Sequence, residues 1–420
     1  MAFNKDEMHA PQWMDDAFFE KVLKHSENDS DLSVSDSKLI PGTKPGDHFA
    51  SVIFRAKVTY NSRGKDCEIS LIIKTIPAQE GIKKDLLKGG EIFGTETIMY
   101  QTVIPEMVRL LRSVGDNTEF GPRLLYSSND PFWVMVFEDI TKRDYQMKYH
   151  QLNLVDAKIV YTKLARWHAA SIVLSDTVPV IPKLDKSLIA VMHTDFSKMW
   201  IANIAILAKL CHGWSGYEKY GDRLDSLKDT IITKLKNIFQ LKDSNLYNVL
   251  NHGDLHYKNM MYKIKEGATK DIMLLDYQMS FWGTPACDII YSLYNTCSIE
   301  TRDNHRDELI KFYHDEFTAT LNNLGYLKKI PTLVDLHVEI LKCGYLETFL
   351  SCTFLPVMIL PFEEIMSASA IENPEEGVDL DLGDKDKLEA MMLKIFQHPK
   401  YVSVIQRYLP ALLHRGFLEL

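Results

Sequence analysis

The sequence predicts an α+β protein of two lobes, an antiparallel sheet with one principal helix followed by a mainly α-helical lobe. Three observations carry that reading. Residues 49–60 and 68–77 alternate apolar and polar side chains on either side of the turn Asn-Ser-Arg-Gly-Lys-Asp, the period of a half-buried hairpin. Beyond residues 139–144 the apolar period lengthens to that of helices. Within that helical part, residues 251–279 hold two short apolar runs joined by a Gly-containing turn, a small hairpin with acidic residues at its start and end.

Residues 13–25 place Trp13, Ala17, Phe18, Val22 and Leu23 on one side at helical spacing, which predicts a first amphipathic helix. The hairpin follows, with Val52, Phe54, Ala56, Val58 and Tyr60 on one face. A helix is predicted over 91–113, broken near Pro105 because proline lacks the N–H that continues a helix. Residues 123–128 and 132–140 read as two further strands, which with the strand candidate that ends at Pro41 and the two of the hairpin give a five-stranded antiparallel sheet. Helical spacing then runs through 154–174, 199–214, 226–241 and most of 302–358. The expected division is a nucleotide-binding lobe over 1–139 and a catalytic and acceptor-binding lobe over 140–420.

Charge excludes one class of partner. The 420 residues carry 48 Lys and Arg against 57 Asp and Glu, with no basic block to track phosphates, which speaks against nucleic acid. Six cysteines form no C-x-x-C pair and read as reduced thiols. The charged N-terminus lacks a signal peptide's apolar region, and the most apolar run, 349–362, is too short to span a bilayer and contains two prolines. A cytoplasmic protein without a membrane span is expected. Nothing in the sequence sets its oligomeric state.

His252-Gly253-Asp254-x4-Asn259, followed after one hairpin by Leu274-Leu275-Asp276, has the logic of phosphoryl transfer. Asp254 would hold and deprotonate an acceptor hydroxyl, while Asn259 and Asp276 would offer hard oxygens to magnesium on the nucleotide phosphates. A polar turn in which Asp254 caps a helix and Asn259 binds backbone is the plainer alternative. Such a site also needs a cation on the α- and β-phosphates and a carboxylate to aim it. Lys74, in the apolar strand Leu-Ile-Ile-Lys, and Glu96, on the next helix, are the candidates, unless Lys74 snorkels from an edge strand and Glu96 is solvated. The loop through Gly46, His48 and Ser51 would drape backbone N–H groups and a hydroxyl over the phosphates, or is a plain hairpin loop. Phe137, Glu138, Asp139 and Ile140 would form a hinge whose backbone meets adenine.

Taken together, Gly46–Ser51, Leu71–Lys74, Glu96, Phe137–Ile140, Leu164–Ser171, Asn251–Asn259, Leu274–Gln278 and Gly283–Tyr291 resemble the insect ecdysteroid kinase-like proteins. These belong to the choline-kinase-like and aminoglycoside-phosphotransferase-like branch of the protein-kinase fold. The resemblance implies a bilobal kinase fold, ATP with Mg2+ as cofactors, and transfer of the γ-phosphate to a small-molecule hydroxyl. It makes Asp254 the catalytic base, Asn259 and Asp276 the metal ligands, and Lys74 with Glu96 the phosphate-positioning pair. His252 and Asp288 would support the catalytic loop, or are plain core polar groups. His168 reads as a satisfied core histidine. Asp47-His48 replaces the family's usual Glu-Asn, and Tyr277 stands where Trp is common.

Two features bear on the acceptor. Trp200, Trp214, Phe281, Trp282, Tyr345 and Phe349, with Phe354 and Leu355, would line a pocket for a hydrophobic alcohol such as a steroid or xenobiotic, or are core. Residues 363–389, with ten acidic residues and two lysines, would attract a cationic amino-alcohol such as choline or ethanolamine, or form a solvated loop. The apolar acceptor is the expectation. A non-catalytic pseudokinase that only binds ligands is the alternative from another class.

Overall fold

Alternation in the first third of the chain becomes a five-stranded antiparallel sheet, β1 (Ser33–Pro41), β2 (Val52–Ser62), β3 (Lys65–Thr75), β4 (Leu124–Ser128) and β5 (Val134–Glu138), in the order β1-β2-β3-β5-β4. The computed structural model describes residues 9–42, 51–76, 91–130, 132–184, 195–240, 247–361, 364–365 and 385–419. Ser62 pairs with Lys65 across Arg63-Gly64, whose φ angles of 52° and 74° make the two-residue turn that matches strand twist. Val52, Phe54, Ala56 and Val58 point into the core with Leu71, Ile73 and Val136. Helix α1 (Asp16–Glu27) covers that core. The Asp15 carboxylate caps it by accepting from Phe18 N–H at 2.9 Å. Its buried face is Phe19, Val22 and Leu23, so Phe18 sits at the margin and Ala17 faces out, a rotation from the expected stripe.

Pro105 does not break its helix. Helix α2 (Glu91–Ile98) runs through a π-helical turn (Met99–Val103) into α3 (Ile104–Arg112). There Ile104 N–H reaches back five residues to the Met99 carbonyl. The wider turn absorbs the proline, which has no N–H to give and a ring that would otherwise crowd the carbonyl four residues earlier.

The chain divides into two compact units. The first holds the described residues through Ile104 together with Gly121–Gln146, and the second holds Pro105–Phe120 and the described residues from Met147 on. Two stretches thus fall on the other side of a division at 139/140. The turn Ile140–Arg143 and the two-residue strand β6 (Tyr145–Gln146) belong to the first unit, where Asp139 caps the turn and Arg143 pairs with Glu138 at 3.1 Å. Residues 116–120 join the helical unit through Arg166, which bonds Thr118 at 2.7 Å, and Lys163, which bonds the Glu119 carbonyl at 2.8 Å.

In the second unit, α4 (Leu154–Leu174) is capped by Asn153 and buries Trp167 and His168. Helices α5 (Asp195–Gly213), α6 (Glu218–Leu227) and α7 (Ile231–Gln240) follow. Strand β7 (Val249–Asn251) then pairs antiparallel with β10 (Phe281–Gly283). Between them lies the hairpin β8 (Met260–Lys265) and β9 (Ala268–Leu274), turned by Glu266-Gly267 at φ of 54° and 74°. Helices α8 (Ala286–Asn295), α9 (Ile299–Asn323), α10 (Leu333–Lys342) and α11 (Gly344–Thr353) complete the part around this loop, and α12 (Leu355–Met358), α13 (Lys385–Phe396) and α14 (Pro399–His414) end the chain. All six cysteines are free thiols. Among the described residues no helix is long and apolar enough to cross a membrane.

Candidate active site

In the first unit, Lys74 lies on β3 between Ile53 and Met135 of the neighbouring strands, so its side chain does not run out from an edge. It is 5% exposed and Glu96 on α2 is 1% exposed. Lys74 Nζ donates to both carboxylate oxygens of Glu96, at 2.8 and 2.6 Å. A buried pair of this kind persists because each charge neutralises the other where water cannot. Ser51 is buried just before β2. Gly46 and His48 lie outside the described residues.

The segment Phe137–Ile140 ends β5 in the same unit. Phe137 packs edge-on to Tyr100 at 4.8 Å, and Ile140 is buried. Glu138 N–H donates to the Arg123 carbonyl, and the Asp139 carbonyl accepts from Lys142 N–H. Those two backbone groups are therefore engaged within the unit. Burial pushes the Asp139 carboxyl up, but bonds from Ser70 and Thr141 and the Arg55 guanidinium at 3.0 Å outweigh it and hold the group below its usual range.

In the second unit, β7 leads directly into His252-Gly253-Asp254. Gly253 has φ of 83°, and a Cβ there would stand 2.0 Å from the Met279 carbonyl oxygen, so no other residue fits. The Asp288 carboxylate, on α8, accepts His252 N–H at 2.6 Å and Gly253 N–H at 2.9 Å. Asp288 is itself fixed by His168 Nε2 at 3.2 Å and by its own N–H on the Asn251 side chain. His168 is fully buried, its other ring nitrogen on the Tyr313 hydroxyl at 2.7 Å, and burial pushes it below the ordinary histidine value against the pull of Asp288.

The His252 ring joins the two loops of the site. Its Nε2 lies 3.0 Å from the Leu275 carbonyl, which only accepts, so Nε2 carries the proton and Nδ1 accepts Asp254 N–H at 3.3 Å. Leu275 N–H returns to the Asn259 carbonyl at 2.9 Å. Asp276 follows with φ of 64°, a left-handed conformation that is costly for a residue with a Cβ, and it accepts from Gln278 at 3.4 Å. Tyr277 stacks on Trp167, with ring centroids 5.0 Å apart, and donates to the Phe120 carbonyl.

Both oxygens of Asp254 are engaged. Oδ1 accepts from the Tyr291 hydroxyl at 2.5 Å and Oδ2 from Asn259 Nδ2 at 3.0 Å. The same Asn259 amide nitrogen donates to the Asp254 carbonyl at 3.0 Å. With both acceptors on the Asn259 amide nitrogen, its carbonyl oxygen is the atom a cation would meet. His256 Nε2 lies 3.6 Å from Oδ2, and burial pushes this ring below its ordinary value as well. Among the described residues no group of three or more His, Cys, Asp or Glu is arranged to hold a metal. A magnesium ion carried by phosphates needs only one or two protein oxygens, and an Asn carbonyl and an Asp carboxylate are of the right hardness.

Beneath Gly253 and Asp288 lies a cavity of about 20 Å³ walled by Phe239, Phe281, Tyr291, Phe349, Leu350 and Phe354, among others. Two of the six expected acceptor residues, Phe281 and Phe349, therefore sit at the loop. Trp200 stands behind them, edge-on to Phe349 at 5.0 Å. The other three do not line the cavity. Trp214 packs on Tyr217, Tyr345 lies under the Lys234 ammonium and bonds the Glu419 carbonyl, and Trp282 donates its backbone N–H to Leu184. Of the acidic stretch, Glu364 pairs with His398 at 2.8 Å, and residues 366–384 lie outside the described residues.

Sequence reasoning missed Tyr291 and the bond between His168 and Asp288. The one signal available was spacing: Tyr291 is three residues after Asp288 on a helix, hence on the same face.

The ecdysteroid kinase-like family model matches residues 45–326, so the chain belongs to this family of kinase-like proteins that act on small molecules. No curated protein matches the sequence. Among solved structures, the Plasmodium vivax ethanolamine kinase is 15% identical with a TM-score of 0.38, covering 92% of this chain and 89% of its own. The AMP-bound complex of a spectinomycin phosphotransferase is 13% identical with a TM-score of 0.42, covering 93% and 98%. A choline/ethanolamine kinase family protein from Mesorhizobium loti is 11% identical with a TM-score of 0.35, covering 88% and 91%.

Proposed function

We propose that the protein is an ATP-dependent kinase that transfers the γ-phosphate to a hydroxyl of a hydrophobic small molecule, a steroid-like or xenobiotic alcohol. The observation that carries this reading is the loop His252–Asn259, in which Asp254 is held on both oxygens and the Asn259 carbonyl oxygen is the atom a cation would meet. Membership of the ecdysteroid kinase-like family supports it.

Asp254 is the base, which orients the acceptor hydroxyl and takes its proton as the phosphoryl group arrives. Asn259 Oδ1 and the Asp276 carboxylate would hold magnesium, which when bound neutralises charge on the phosphates. Lys74, aimed by Glu96, binds the α- and β-phosphates, with Ser51 as a further contact; Gly46 and His48, assigned the same role from sequence, lie outside the described residues. The segment Phe137–Ile140 offers backbone groups to the adenine. His252 and Asp288 hold the catalytic loop through its backbone N–H groups. The side chains packed beside the loop, Phe281, Phe349 and Phe354 backed by Trp200, are apolar, which supports an acceptor without charge. The roles fall to a sheet-containing nucleotide lobe and a helical acceptor lobe, in a protein of the cytoplasm.

The test is a magnesium-dependent thermal shift with ATP, followed by a γ-phosphate transfer screen over steroids, phenols and amino-alcohols. Transfer to an uncharged alcohol is expected. Transfer to choline or ethanolamine alone would overturn the acceptor class, and ATP binding without any transfer would mark a pseudokinase.

A further inference from the structure

We infer that Tyr291 is a positioning residue for Asp254, an assignment that rests on reading Asp254 as the base. Helix α8 grips the catalytic loop twice from one face. Asp288 takes the backbone N–H groups of His252 and Gly253, and Tyr291, one turn on, takes the side chain of Asp254. The phenol must be the donor, because an ionised carboxylate only accepts. At 2.5 Å the contact has the length of a charge-assisted O–H···O⁻ bond.

A carboxylate on a short side chain turns about two bonds, and one contact does not fix it. Here Oδ1 is pinned from α8 and Oδ2 from Asn259 on the loop, so the plane of the base is set from two independent elements. The Tyr291 ring forms part of the apolar wall with Phe281 and Phe349. Water is poorly placed to replace the phenol there. Phenylalanine at this position would keep the wall and remove only the donor.

The experiment compares the full chain with Tyr291→Phe and Asp254→Asn. The first readout is the tyrosine hydroxyl region of the proton NMR spectrum, with ring-labelled tyrosine. Wild type should give several exchange-protected hydroxyl resonances, from Tyr277 and Tyr313 among others, of which one at low field vanishes in Tyr291→Phe and moves upfield in Asp254→Asn. The second readout is magnesium-dependent ATP hydrolysis with water as acceptor. In Tyr291→Phe, kcat should fall about tenfold while KM for ATP stays within about twofold, because the base is loosened and nucleotide binding is not.

A merely structural tyrosine would lower the melting temperature without that split. A hydroxyl resonance indifferent to Asp254→Asn, or wild-type kcat in a folded Tyr291→Phe, overturns the assignment. Wild type that binds no ATP overturns the kinase reading and the role with it. The hydroxyl resonance would still be present in that case, so the two failures read differently.

Discussion

Asp288 Oδ1 holds Gly253 N–H at 2.9 Å, which ties a helix to the one residue of the loop that must be glycine. The carboxylate also takes His252 N–H and the His168 ring. Three donors converge on two oxygens. Asp288→Asn would present an amide N–H to at least one of them, so a loss of about 2–4 kcal/mol is expected in urea unfolding, from an unmet buried donor and the broken bonds. A change below about 0.5 kcal/mol would mean the loop is held by other contacts.

Gly253→Ala is expected to cost at least ~2 kcal/mol, from the left-handed backbone and the clash with the Met279 carbonyl. Gly267→Ala is the matched control. Its φ is also positive, at 74°, but nothing lies within 4 Å of the new Cβ, so only about 1 kcal/mol should be lost. Equal losses at the two positions would remove the close approach to Met279 from the account.

Lys74→Met and Glu96→Leu each leave a partner charge in a dry site. Each single change should cost ~3–5 kcal/mol, and Lys74→Met with Glu96→Leu should recover much of that, since neither charge is then stranded. Thermal melts of the four proteins check this. Additive losses would show that the two groups are not coupled.

Sequence reading reached the elements with a strong period and the motif with rare spacing. Val52 to Val58 alternate, and His252-Gly253-Asp254-x4-Asn259 stands out by itself. What it missed depends on contacts distant in the chain. Pro105 announced a break, but a π-helical turn at Met99–Val103 absorbs it. Residues 116–120 look like the tail of the first unit until Arg166 and Lys163, some 45 residues later, bind them. Tyr291 is one tyrosine among 19, and no local pattern separates a phenol bonded to Asp254 from a core aromatic. Trp214 and Tyr345 have the helical spacing of pocket residues and pack elsewhere.

His168 gives a pH dependence with a definite sign. Burial lowers its pKa in the folded chain below the usual 6.5, so the unfolded chain binds the proton more readily. Its contribution is full above about pH 6.5 and is lost as pH falls from there toward the depressed folded value. His256, lowered in the same way, adds to the slope. Denaturant unfolding between pH 7.5 and 5.5 should show falling stability, and His168→Gln should flatten part of the slope. A steeper slope in that variant would reverse the assignment.

The roles of Asp254 and Asp276 carry the account. Isothermal titration of ATP with magnesium, run beside γ-phosphate transfer, tests them together. Asp254→Asn should bind ATP nearly as wild type does while turnover falls by ~10²–10⁴, because a base is lost and no phosphate contact is. Asp276→Asn should lose both, since a magnesium ligand goes. If Asp254→Asn abolished ATP binding while Asp276→Asn left it intact, base and metal ligand would be assigned the wrong way round.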